Sequence, residues 1–141
     1  MQLEIIHSCP PKDEEITAVR KGLQAFNLKT LNHLKDTVHE FGFFLYFENT
    51  VLGGITGRTF LGALQIKYLW IDEKLRRKGY GKNLINKAEA FGQSYGCRFA
   101  VADTLSFQSL GFYQNNGYSI ELTQKGYDGG EIIYYLRKSL V

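Results

Sequence analysis

The most constraining stretch of this chain runs from Leu64 to Thr104, where four kinds of sequence succeed one another in an order that few folds accommodate. Leu64 to Ile71 alternates as a strand, and Arg76-Arg77-Lys78-Gly79-Tyr80-Gly81-Lys82 is a cationic glycine turn. Asn83 to Tyr95 carries Leu84, Ile85, Ala88, Phe91 and Tyr95 on one helical stripe, with Asn86, Lys87, Glu89, Gln93 and Ser94 facing away. Gly96 is a stop signal, and the apolar run Phe99-Ala100-Val101-Ala102 then ends on Asp103. Two strands joined through one helix should lie parallel with a right-handed crossover. In the first strand Leu64, Ile66, Tyr68 and Trp70 fall on one face, and the other face changes from Gln65 and Lys67 to Leu69 and Ile71. That change predicts a strand end buried on both sides.

The turn has a chemistry of its own. The first amides of a helix lack partners inside the helix, and aligned peptide dipoles leave partial positive charge there. An anion is stabilised at that end. Gly79 and Gly81 have no Cβ to hold a phosphate away from the backbone, and Arg76, Arg77, Lys78 and Lys82 add four cations, a set suited to a diphosphate. The plainer reading is a solvated basic loop whose glycines only turn the chain. The flanking periodicity favours the anion site, because ligands of open α/β sheets sit beyond the carboxyl ends of the strands.

Arg76-x-x-Gly79-x-Gly81 after Leu69-Trp70-Ile71, with Phe112-Tyr113-x-x-x-Gly117-Tyr118 further on, resembles the GNAT superfamily of N-acetyltransferases. The resemblance covers roughly Phe43 to the C-terminus. It implies an α/β GNAT fold: a mixed, mostly antiparallel sheet of about seven strands, splayed between the fourth and fifth, with about four helices. It also implies acetyl-CoA as co-substrate. The amides of Arg77, Lys78, Gly79, Tyr80, Gly81 and Lys82 would hold its pyrophosphate beside Arg76, and the backbone of Leu69, Trp70 and Ile71 would pair with the pantetheine arm. Tyr113, next to Phe112 of the same motif, matches the tyrosine that protonates the departing thiolate in many members. Some members place a glutamate on the fifth strand five residues before a CoA-contacting asparagine. Those positions here are Val101 and Ser106, and the alanine that often comes three residues after the asparagine is Ser109. Asp103 shares a strand face with Val101 and is the nominee for the base. Its alternative role is a helix-capping carboxylate.

Length and composition fit this picture. The 141 residues suit one domain, read here as 1–141, with 44% apolar and 22% charged residues as in ordinary soluble globules. No apolar run approaches the roughly 20 residues of a membrane span. The N-terminus lacks a basic-then-apolar signal layout, so the expected location is cytoplasmic. Net charge is +3, too mild to indicate nucleic acid as partner. Cys9 and Cys97 have no metal-ligand spacing, and no metal is expected.

Outside the central unit, Gln2 to His7 reads as a first strand, and Pro10-Pro11 open a helix with Ile16, Val19, Leu23 and Phe26 as its buried stripe. A short helix is expected around Leu31 to Val38, beside His33 and His39. Phe43–Phe47 and Val51–Phe60 form a hairpin with core aromatics, and Gly53, Gly54 and Gly57 signal a bulge or close backbone approach. Phe107 to Asn116 reads as a helix capped by Gly117, and beyond it lies a hairpin of Tyr118–Leu122 and Glu131–Leu136.

The implied reaction is acetyl transfer to a primary amine of a small molecule, by direct attack in a ternary complex, with no nucleic acid or membrane partner. A homodimer is expected by family analogy. Acetylation of a protein N-terminus or lysine stands as the alternative, together with a non-catalytic CoA- or nucleotide-binding module.

Overall fold

Two tight turns lay out the first half of the sheet in the computed structural model, which describes all 141 residues. β1 (His39–Phe47) and β2 (Thr50–Phe60) pair antiparallel around Glu48, whose φ is +52°. β2 then returns into β3 (Ala63–Ile71) through Leu61 and Gly62, both at positive φ, as a two-residue hairpin turn requires. Helix α2 (Tyr80–Ser94) crosses over to β4 (Phe99–Leu105), which lies parallel to β3. Helix α3 (Leu110–Asn115) leads to the antiparallel pair β5 (Ser119–Gln124) and β6 (Ile133–Ser139). The strand order is β1-β2-β3-β4-β6-β5, and β3 with β4 is the one parallel pair.

Both crossover helices end on the glycines that the sequence marks. Cys97 N–H bonds the Gly92 carbonyl and Gly96 N–H that of Gln93; Tyr118 N–H bonds Tyr113 and Gly117 N–H bonds Gln114. With Gly96 and Gly117 at positive φ, both are Schellman caps.

The chain divides into two units, Met1–Asp36 and Thr37–Val141. The larger unit holds the whole sheet. Its core lies between α2 and β1–β3, where Ile55, Leu64, Ile85 and Ala88 are fully buried and Phe91 packs on Phe41 at 5.2 Å between ring centroids. At about 25 cal/mol per Å² of apolar surface, each large aliphatic side chain buried there contributes about 2 kcal/mol.

The smaller unit contains α1 (Asp13–Thr30), which starts with Asp13, Glu14 and Glu15 in its first turn. Glu15 Oε1 accepts the Lys12 N–H at 2.7 Å. Gln2–His7 is not a strand. The expected stripe of Ile16, Val19, Leu23 and Phe26 is 51% to 74% exposed, and α1 buries no residue. Within this unit there is one α-helix and no strand, so inside it an extended segment finds no ladder and an apolar stripe finds no partner. The short helix expected at Leu31–Val38 is a 3₁₀ turn, Leu34–Thr37. These two differences account for six strands and three α-helices where about seven and four were expected.

The phase of β3 differs from its simple alternation. Thr56 pairs with Tyr68 but Gly57 pairs with Ile66, leaving Lys67 as the extra residue of a β-bulge. One inserted residue moves every later side chain to the other face. Leu64 and Ile66 are buried in the core, and beyond the bulge Leu69 and Ile71 pack against it. Tyr68 and Trp70 turn to the opposite, open face, 67% and 52% exposed, so the strand end is not buried on both sides. The same open face shows Phe44 and Tyr46 of β1, which sequence placed in the core.

Candidate active site

The cationic turn is built to leave amides unpaired. Asp72 Oδ1 accepts the Lys74 N–H at 2.9 Å and holds a short 3₁₀ turn, Glu73–Leu75, directly after β3. Arg76 Nε donates to the Ile71 carbonyl at 2.9 Å, which pins the loop to the strand it leaves. Arg77 and Gly79 are both left-handed, at φ +61° and +85°. Gly79 is the N-cap of α2, with no side chain capping the helix and no acidic residue in its first turn. A left-handed residue leading into helical ones aims successive N–H groups into one concavity, which binds anions. α2 begins at Tyr80, three residues before the expected start, so the glycine pattern belongs to the helix end itself. A Cβ on Gly79 would meet nothing within 4 Å, whereas one on Gly81 would press on Phe112 at 2.9 Å. Gly79 therefore fronts open space, and Gly81 lets α3 close against α2.

A groove of about 1200 Å³ runs from this helix end along β3. β4 pairs with β3 only at Ala63, Leu64 and Gln65, while β2 stays paired with β3 as far as Ile71. From Lys67 onward the backbone of β3 on the β4 side has no strand partner, and an extended amide-bearing chain can pair with it. Leu69, Trp70 and Ile71 line the groove on that edge, Tyr80, Gly81 and Lys82 at its helix end, and Phe112 and Tyr113 on its α3 wall. Arg76, Arg77, Gly79 and Asp103 also line it, whereas Lys78 and Ser106 do not. Ser106 instead bonds the Glu131 carboxylate and accepts the Ile132 N–H at 3.1 Å, tying the end of β4 to the segment before β6.

A second cavity, of about 920 Å³, opens on the sheet face opposite α2. Its walls include Glu40, Arg58, Arg137 and Tyr135. Lys67 and Asp103 line both spaces and form the throat between them. Gln65 and Val101 are the last paired residues of β3 and β4, and Lys67 and Asp103 stand two positions beyond them on the two diverging strands. The N-cap of α3 is Ser109, no side chain caps that helix, and Thr104 Oγ1 accepts the Ser109 N–H at 3.1 Å, so Asp103 is not the cap.

Tyr113 is 4% exposed, packed edge-on against Phe112 and Tyr118 at 5.5 and 5.3 Å between centroids. Burial, and secondarily the Asp103 carboxylate, push its phenol up to about 12. The one fully buried side-chain polar atom without a partner is Thr56 Oγ1, so the Tyr113 hydroxyl is not sealed away from the groove. Behind Tyr113, Tyr118 donates to Glu89 Oε2 at 2.8 Å, and Lys138 Nζ meets Glu89 Oε1 at 2.8 Å. Burial, then the Glu89 carboxylate, raise the Tyr118 phenol still further. Glu89 is 7% exposed, although sequence placed it on the outer face. Its spacing from Ile85, Ala88 and Gly92 puts it on the buried stripe, a signal that residue polarity masked.

Alkaline stability depends on these two phenols. Groups whose pKa is higher folded than unfolded stabilise the fold fully below the unfolded value, near 10, and lose that contribution as pH rises through the folded value. A two-unit rise at Tyr113 is worth roughly 3 kcal/mol. The midpoint of thermal unfolding should stay level from pH 7 to 9 and fall steeply between pH 10 and 12. Tyr113→Phe should make that fall shallower; an unchanged alkaline limb in the variant would contradict the assignment.

Cys97 lies in the core, where burial pushes its thiol up against the opposing effect of Arg98, so it offers no ready thiolate. No group of three or more His, Cys, Asp or Glu side chains is placed to hold a metal ion. No helix is long and apolar enough to cross a membrane.

Residues 3–118 match the family model described as "Acetyltransferase (GNAT) family". Blasticidin-S acetyltransferase of Streptomyces morookaense is 35% identical over 89 residues, 62% of this chain and 65% of that protein. The match thus spans just under two thirds of that relative's length. The crystal structure of a Bacillus cereus acetyltransferase superposes with a TM-score of 0.81 at 26% identity, over 96% of this chain and 97% of that one. An aminoglycoside 6'-N-acetyltransferase complexed with coenzyme A superposes at a TM-score of 0.64 with 14% identity, over 72% and 73% of the two chains, a likeness of fold alone. With a glycine turn at an uncapped helix end, a parted parallel pair and a family match over most of its length, the chain belongs to the GNAT family of acetyltransferases.

Proposed function

We propose that this protein moves an acetyl group from acetyl-CoA to the primary amine of a small molecule, by direct attack in a ternary complex. The observation that carries the reading is the unpaired edge of β3 running into the uncapped, glycine-fronted N-terminus of α2. The residues fit the co-substrate on this chain's own geometry. Gly79 through Lys82 hold the diphosphate on backbone amides with Arg77 and Lys82 beside them, and the Leu69–Ile71 edge pairs with the pantetheine amides. Bound acetyl-CoA supplies a thioester, an electrophilic carbonyl with a thiolate leaving group.

The chain's residues then manage protons. An alkyl ammonium has a pKa of about 10 and is no nucleophile until a base takes its proton. Asp103, at the throat, accepts that proton. The unpaired N–H groups of β3 donate to the carbonyl oxygen as it gains charge. As the C–N bond forms and the C–S bond breaks, the nitrogen's second proton is lost and the Tyr113 hydroxyl gives its proton to the sulfur, regaining one from the nitrogen through the groove. The net products are the amide, the free thiol and one proton released from Asp103 to water.

Asp103 and Tyr113 line the same groove, close enough for the charge of one to act on the other. The carboxylate is one cause of the high Tyr113 pKa.

A small acceptor is favoured because the cavity across the throat has a volume of about 920 Å³, within the range of small-molecule sites. The name of the Streptomyces relative also denotes a small-molecule acceptor. Calorimetry with acetyl-CoA, and then thiol release across an amine panel, tests the proposal. Gly79→Asp places a carboxylate in the anion cradle at a position where aspartate tolerates the left-handed backbone and meets no neighbour within 4 Å. It should weaken CoA binding by about tenfold or more while the left-handed backbone costs the fold about 1 kcal/mol, a melting-temperature loss of only a few degrees. Unaltered affinity would remove the turn from the cofactor site.

A further inference from the structure

The charges at the throat between the two cavities specify more than an amine. Of the six charged residues that wall the acceptor cavity, Arg58, Glu121 and Arg137 are engaged by the protein, and Glu40, which has no ion pair, stands opposite Arg58 in the β1–β2 ladder, away from the throat. Arg137 meets Glu121 at 3.7 Å and lies over the Phe99 ring at 3.8 Å, and Arg58 Nε bonds Gln65 Oε1 at 2.8 Å while stacking over Phe60. Lys67 and Asp103, the two residues common to both cavities, form no ion pair and no side-chain hydrogen bond; Lys67 only rests near the Tyr68 ring, its Nζ 5.3 Å from the centroid. The throat thus presents a cation on β3 and an anion on β4, neither of them in an ion pair, where the two strands part.

That arrangement complements a molecule bearing both charges. An ammonium turned toward Asp103 and an acid group turned toward Lys67 would each gain a partner that the protein leaves open. A second ammonium in place of the acid would meet Lys67 as a like charge, and specificity comes from such repulsion as much as from attraction. Lys67 has this position because it is the bulge residue, released from the ladder at the mouth of the cleft.

We propose that the preferred acceptor is a zwitterionic amine, a primary ammonium with a carboxylate or similar acid a few bonds away, and that Lys67 is the residue selecting it over polycationic amines. This inference rests on the acetyltransferase reading of the same site. The chemistry is unchanged: the amine nitrogen gains the acetyl group as the C–S bond breaks, and the acid group stays intact in the N-acetyl product.

The test uses matched triples of one carbon length, such as β-alanine, propylamine and 1,3-diaminopropane, with the five-carbon triple 5-aminopentanoate, pentylamine and 1,5-diaminopentane. Binding to the CoA-loaded protein is read by saturation-transfer NMR and turnover by thiol release. In the wild type the amino acid should bind and react at least about tenfold better than the diamine, one partnered charge being worth about that factor. Lys67→Met should erase the preference, and Lys67→Glu should invert it. A wild type that ranks the diamine first, a panel in which nothing binds, or a Lys67→Met variant with the same ranking overturns the proposal. Uniformly lower kcat in Lys67→Met with unchanged relative binding would also overturn it, assigning Lys67 to the departing thiolate instead. If calorimetry shows no CoA binding by the wild type, the active-site reading itself fails and this inference with it.

Discussion

Tyr113→Phe should lower kcat by about 100-fold, the usual contribution of a positioned general acid, while the affinity for CoA stays within about twofold of the wild type. The substitution removes one oxygen from a ring that keeps its contacts with Phe112 and Tyr118, so the fold and the groove wall persist. The hydroxyl forms no hydrogen bond with another protein group, and its loss should change the melting temperature at neutral pH little. Turnover should recover partly with thioesters whose thiols are more acidic than CoA, because such leaving groups need less protonation. A variant with full kcat would leave Tyr113 as a packing residue, and proton delivery to sulfur would then come from water.

A larger structural effect is expected at Gly57. A Cβ there would stand 2.0 Å from the Gln65 carbonyl oxygen and 2.9 Å from the Phe41 ring. The first neighbour is backbone and has no room to yield without moving β3. Gly57→Ala should therefore cost about 3 kcal/mol or more, lowering the melting temperature by roughly 10 °C. CoA affinity should fall with it, since the residue sits opposite the bulge that frees the β3 edge. Gly111→Ala, in α3 with nothing within 4 Å of the added carbon, is the control and should be neutral or mildly stabilising. Equal melting temperatures for the two variants would show that β3 shifts at no cost.

What the sequence made legible, and what it hid, divides along physical lines. The α2 stripe, the glycine stops at Gly96 and Gly117 and the two hairpin turns are local signals set by few residues, and the structure has all of them. The cationic turn is readable for the same reason: whether its amides are paired is decided by residues within one helical turn of them. The β3 faces were misread because period-two alternation presumes an unbroken ladder, and the extra residue at Lys67 is visible only in the pairing with β2, where Gly57 meets Ile66 and Thr56 meets Tyr68. Glu89 was misassigned on polarity although its spacing was right; its burial depends on Tyr118 and Lys138, distant in sequence. The N-terminal misreadings have one cause, since a stripe and an alternation state a need for a partner and not that one is present. At the site, the β3 edge, Tyr113 and Asp103 converge on one groove, while Ser106 serves the β4–β6 connection and Lys67 carries no signal in its own sequence context.

The extra residue in β3 has a consequence for how easily such a cleft is gained or lost. Deleting Lys67 would let Ile66 and Tyr68 follow one another in regular register with Gly57 and Thr56 of β2, leaving Leu69 and Ile71 on the core side and Tyr68 and Trp70 on the open side. A single in-frame codon loss would therefore spare the interior and remove only the kink at the mouth of the cleft, and no point substitution at Lys67 touches the strand's phase either. The position can change its chemistry, or be gained and lost whole, without exchanging the faces of the strand, so the mouth of the cleft can be remodelled while the core is kept.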